Sequence, residues 1–166
     1  GVEGGRAWAV RPWVAGVEVA VRVNQLGPFA PRQAVYVTRA VVGAIDALHQ
    51  RGLVHGAVSP HRVLVTPEGE VRLVGASVGA ARADASPDDD LRAALALIPV
   101  LGGPHLPPAL EGVLGRQPAN AAELRGWLEA AEATLPEDPP ESLPLGAQLG
   151  HDGLHIVLDR LEVRLG

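Results

Sequence analysis

One apolar stripe, lying between Pro31 and Gly52, constrains this 166-residue chain more than any other feature. Ala34, Val37, Val41, Ile45 and Leu48 recur every three or four residues, the period of a single helix face. Pro31 suits a first helical turn, where its missing N–H costs no bond, and Gly52 falls where a left-handed cap would end the helix. The stripe predicts a helix over 31–51 with one face buried. LVHGAVSPHRVLV (53–65), the turn Thr66-Pro67-Glu68-Gly69 and EVRLV (70–74) come next. Two Val-rich runs around a Pro/Gly turn predict a β-hairpin.

The flanks extend this pattern. A strand is expected near 7–11 and a short element of ambiguous type at 17–23, closed by Gly27 and Pro28. Residues 75–87 are small and loop-like. Asp88, Asp89 and Asp90 then favour a helix start, and Ser86 with Asp89 fits a capping box. Pro99 is expected to kink or end that helix. A short helix is predicted at 107–115, and Asn120 with Glu123 opens another to about Thr134, with Leu124, Trp127, Leu128 and Ala131 inward. PEDPPESLP (136–144) reads as an extended acidic linker, and the alternation in 153–166 reads as one strand or two short ones. The expected organisation is a mostly helical α+β unit over 1–135, a Pro/acidic linker over 136–150, and C-terminal strand(s) over 151–166. Those strands are expected to pair with the N-terminal strand, to pair with a second copy in a homodimer, or to begin a further domain.

Composition removes several kinds of chemistry. The chain has no Cys and no Met, and all 14 of its basic residues are Arg. Without Cys there is no thiol nucleophile and no disulfide framework. Without Lys there is no phosphate-cradling lysine, Schiff base or lysine general base. With no initiator Met, the chain is expected to be processed or excised from a longer one. A formal charge of −5 with 3% aromatics argues against nucleic-acid binding, which needs phosphate neutralisation and stacking platforms. No apolar run reaches the length of a membrane span and no signal peptide is read at the start, so no membrane insertion and a cytoplasmic location are expected. The Gly, Pro, Ala, Val and Arg richness suggests a GC-rich bacterial source.

The segment ALHQRGLVHGAVSPHRVLVTPEGEVRLVGAS (47–77) resembles the catalytic-loop region of the protein-kinase superfamily, especially bacterial Ser/Thr kinases. In that family a helix ends in Leu-His and Gly, followed by HRDxxxxN, a strand, a turn, a second strand and DFG. AVRPWVAG (9–16) resembles the end of the N-lobe sheet and the hinge, 26–49 resembles the helix before the catalytic loop, and Asp90-Leu91 resembles the start of the central C-lobe helix. The resemblance covers about 6–134 and implies a kinase-like C-lobe with little or no N-lobe. It also implies that catalytic groups are replaced. Ala57 takes the place of the catalytic Asp, Ser59 of the loop Lys, Arg62 of the metal-binding Asn, and Gly75-Ala76-Ser77 of DFG. A methyl group accepts no proton, and a guanidinium repels Mg²⁺. His55 and Asp90 match positions of architectural use; the family's Asp braces the catalytic-loop backbone. The resemblance therefore implies a degenerate pseudokinase, not an enzyme, with no cofactor. Such a module would bind another protein, or another domain of a parent chain, for regulation or scaffolding. The alternative is a sensor that holds a nucleotide or small molecule at the hinge without metal.

Other patterns compete. Gly75-Ala76-Ser77-Val78-Gly79 matches the GxSxG elbow of serine hydrolases, with Asp84, Asp88, His105 and His151 later in the chain. Against it, the elbow needs a following helix, and a hairpin precedes Ser77. His49, His55 and His61 are read as a helix-end, a core and a solvent histidine rather than metal ligands. Arg11, Arg22, Arg62 and Arg72 are candidates for lining a groove that takes an acidic partner. Trp8 and Trp13 are candidates for an apolar interaction surface, shared with Arg62 and Arg72.

Overall fold

A computed structural model describes residues 2–3, 6–7, 15–76, 85–150, 153–158 and 161–165. Helix α2 (Pro31–His49) is its axis. Four stripe residues, Ala34, Val37, Val41 and Ile45, are no more than 1% exposed. Val35, Thr38 and Val42 are buried as well, because α2 is flanked on two sides and so buries more than one stripe. Its end is closed by Gly52 N–H to the His49 carbonyl and Leu53 N–H to the Leu48 carbonyl, the two bonds of a Schellman motif.

Helix α3 (Pro87–Gly102) and helix α5 (Ala121–Thr134) pack against α2, and α4 (Pro108–Leu114) bridges α3 to α5. The core joins Leu91, Ile98 and Leu101 of α3 to Leu110 of α4 and Leu124 and Leu128 of α5. The α3 cap is as expected: Ser86 Oγ accepts from Asp89 N–H, and the Asp89 carboxylate accepts from Ser86 N–H. Asn120 Oδ1 caps α5 through Glu123 N–H. Pro99 does not end α3, which runs on to Gly102. Its ring lies on the exposed face, while Ile98 and Leu101 hold the last turn in the core.

The predicted hairpin forms from β4 (Val63–Val65) and β5 (Val71–Leu73), in the register Val63↔Leu73 and Val65↔Val71. The ambiguous element divides into β3 (Val17–Glu18), antiparallel to β4, and helix α1 (Val19–Leu26). VEVAVRV alternates like a strand, but burying Val19 and Arg22 three positions apart calls for a helical turn; tertiary packing overrides local preference here.

Residues 136–147 contain no helix or strand, yet they are held on the body. Arg32 donates to the Pro136 and Leu135 carbonyls, Arg32 N–H donates to Asp138 Oδ1, and Gln33 Nε2 donates to the Leu143 carbonyl. This strap ends in fully buried Ala147. Strands β6 (Gln148–Gly150), β7 (Gly153–Leu158) and β8 (Leu161–Leu165) form an antiparallel meander, with β6 beside α1. The tail strands thus pair with β6 and with each other. At the other end, β1 (Val2–Glu3) pairs with β2 (Arg6–Ala7), and residues 8–11 of the expected strand lie outside the described residues.

Candidate functional site

The loop 53–62 leaves the capped end of α2 and enters β4 through one turn of 3-10 helix at Pro60–Arg62. The first turn of α3 lies behind it, which brings Asp90 to His55 across 35 positions. Asp90 is 1% exposed. Its Oδ2 accepts from His55 N–H at 2.8 Å and faces His49 Nε2 at 3.0 Å; its Oδ1 accepts from Gly56 N–H at 2.9 Å. A buried carboxylate needs such donors, since an unpaired charge in the interior is costly. Here it locks the loop backbone to α3.

The His55 ring is equally buried. Ala57 N–H donates to Nδ1 at 3.3 Å, and Nε2 lies 3.2 Å from the Val74 carbonyl. Only the neutral ring protonated on Nε2 satisfies both bonds. Burial lowers its pKa below 6.5; the Val74 bond and Asp90 oppose that shift, and Arg62 adds to it. The unfolded ring therefore takes a proton at higher pH than the native ring. His55 favours the fold above the ordinary imidazole pKa, and that contribution falls as pH drops through it toward the native value. A His55→Asn variant is expected to show a shallower loss of stability between pH 8 and pH 5, measured by denaturant titration. A slope equal to the parent's would place the acid sensitivity elsewhere.

The remaining predicted positions lie on the same loop and on the strand beside it. Ala57 and Ser59 are half-buried. Arg62 N–H closes the 3-10 turn on the Ser59 carbonyl, and the Arg62 carbonyl accepts from Val74 N–H at 2.8 Å. The Arg62 side chain reaches Gly75, where Nη1 donates to the carbonyl at 3.3 Å. Gly75 has φ +79°, and a Cβ there would lie 2.1 Å from Arg62 Nη1. The guanidinium thus fills the space that a side chain at 75 would use.

Of the candidate groove arginines, Arg22, Arg62 and Arg72 lie among the described residues. Arg22 is buried over the Phe29 ring, Arg62 lies on Gly75, and exposed Arg72 pairs with Glu70 on the hairpin. Arg11, Trp8, Trp13, Ser77 and His151 lie outside the described residues. Two histidine roles go beyond the sequence reading: His49 reaches Asp90, and exposed His61 pairs with Glu18 at 2.9 Å. The Leu-His helix end pointed to His49, but a carboxylate 41 positions away has no local signal. Among the described residues no three His, Asp or Glu side chains group as a metal site, and no helix is long and apolar enough to cross a membrane.

No family model matches the chain. The serine/threonine-protein kinase PknE of Mycobacterium tuberculosis is 34% identical over 71 residues, which is 43% of this chain and 12% of PknE. PknL of the same organism is 34% identical over 86 residues, 52% of this chain and 21% of PknL. The chain thus matches 12% to 21% of these relatives' length. The crystal structure of the M. tuberculosis PknI kinase domain superposes with a TM-score of 0.55 at 23% identity, over 74% of this chain and 64% of that one. It shares the mostly helical fold with its small antiparallel sheet. Across the part these comparisons cover, the chain is similar in sequence to bacterial serine/threonine-protein kinases and has a protein kinase-like fold.

Proposed function

We propose that the chain is a catalytically inactive, pseudokinase-like module of a bacterial cytoplasm that works by binding another protein or another domain of a parent chain. The packing of Arg62 on Gly75 carries this reading. By the kinase resemblance these are the two positions that would ligate metal. In their place stand a guanidinium and a residue with no side chain, and an aspartate at 75 would have its Cβ 2.1 Å from Arg62 Nη1. In the present arrangement the Arg62 guanidinium occupies the space that a side chain at 75 would take. By the same resemblance Ala57 stands where the proton acceptor would be, while Asp90 braces the same loop.

Mg·ATP is expected to leave the melting temperature unchanged, because a ligand of the native state must raise it, and no radiolabel should transfer to the chain or to added protein. A rise of several degrees with Mg·ATP, or label incorporation, would overturn the reading. A rise with ATP in EDTA would favour the metal-independent sensor instead. The packing itself has its own test. Gly75→Ala is expected to cost about 1–2 kcal/mol for a non-glycine residue at positive φ. In an Arg62→Ala background the cost should fall by about 0.5–1 kcal/mol, the coupling typical of residues in contact. Additive costs would show that Arg62 and Gly75 do not depend on each other.

A further inference from the structure

Arg22 is the least compensated charge among the described residues. It is 2% exposed and has no acidic partner among them. Nη1 donates to the Gly27 carbonyl at 2.8 Å, the guanidinium carbon lies 4.1 Å from the Phe29 ring centre, and Nε makes no bond. Burial pulls its pKa below the ordinary arginine value with no neighbouring charge to offset it. An uncompensated cation in the interior is costly, and an incoming anion would relieve that cost.

Arg22 lines a cavity of about 290 Å³ that Leu26, Phe29, Gln33, Ser142 and Leu143 also border. The N-terminus of α2 opens onto the same cavity, since Ala30 and Pro31 are in its wall. Ala30 gives that end no side-chain cap, and its first turn holds no acidic residue. Asp138, from the strap, caps that end instead: its Oδ1 accepts from the first-turn Arg32 N–H at 3.0 Å. A buried guanidinium therefore faces a small space beside the start of α2.

We infer that this cavity is a binding site for a small organic monocarboxylate, with its carboxylate on Arg22 and its apolar body against Leu26, Phe29 and Leu143. One guanidinium matches a single negative charge. The apolar walls would bury the remainder of such a ligand, as small-molecule sites do, whereas a phosphate dianion would set its remaining charge against those walls. This site does not depend on the inactive-kinase reading, because it lies between α1, α2 and the strap and not at the loop 53–62.

The test is thermal unfolding of the whole chain at neutral pH with benzoate or butyrate, against phosphate and chloride at equal ionic strength. The organic acids should raise the melting temperature saturably, by about 3 °C or more at saturation, and the inorganic ions should not. Arg22→Met should abolish the rise while leaving the unliganded melting temperature equal or higher. Ser142→Phe, which keeps Arg22 and fills the cavity from the strap, should abolish it too and serves if Arg22→Met does not fold. No response to either acid overturns the site, and so does an equal response to phosphate or chloride. A response undiminished in a folded variant also overturns it.

Discussion

Replacing Asp90 with alanine is expected to remove about 4 kcal/mol of stability, a large share of the 5–15 kcal/mol that holds a domain of this size together. The magnitude follows from what the carboxylate leaves behind. His55 N–H and Gly56 N–H lose the acceptor they have among the described residues, a carboxylate 1% exposed, and the His49 ring loses its partner at 3.0 Å. A hydrogen bond to a charged group contributes about 1.5–3 kcal/mol, and each orphaned buried donor costs about 1–3 kcal/mol. Asp90→Asn should recover less than half of the loss, because its amide nitrogen must face a donor. Urea titration should show a lower midpoint with an unchanged slope. A loss under about 1 kcal/mol would mean that the loop 53–62 stays in place without this brace.

The second large effect is expected at Gly146, where the strap crosses the hairpin turn. A Cβ there would stand 2.0 Å from the Pro67 carbonyl oxygen and 3.0 Å from that of Thr66. Both are backbone atoms, so no rotamer change gives relief. Gly146→Ala should lift the strap from the turn, expose Ala147 and cost about 2–3 kcal/mol, the range of overpacked sites. Gly126 is the control. It is exposed on α5 with nothing within 4 Å of a Cβ, so Gly126→Ala should stabilise by about 0.5–1 kcal/mol through helix preference. Equal effects at the two sites would remove the steric account of Gly146.

The contrast between these sites shows what local pattern encodes. Helices α2, α3, α4 and α5 and the β4–β5 hairpin were legible because caps, turns and periodicity lie within a few residues of each other. Ser86 and Asp89, or Pro67 and Gly69, signal through neighbours. Gly146 has no such signal, since the atoms that forbid a side chain there belong to a turn nearly eighty positions earlier. PEDPPESLP reads as an extended linker by composition, yet Arg32 ties it to α2 through bonds that composition does not contain. At the loop site, His55 and Asp90 could be paired only through the kinase likeness, because nothing local links positions 35 apart. The seat of Arg62 on Gly75 was hidden for the same reason. The burial of Arg22 was not legible either, since its place in the Val-rich run VEVAVRV does not say which way an arginine faces.

The strap bonds join residues 103 to 110 positions apart along the chain. Such distant partners meet only after the helices between them have assembled, since the entropy of closing so long a loop must be offset by structure already formed. The strap is therefore expected to settle after α2 and α5 have packed and to open at lower cost than α2. Its amides should exchange with deuterium well before those of α2, so that opening near the α2 N-terminus proceeds as a local event, separate from global unfolding.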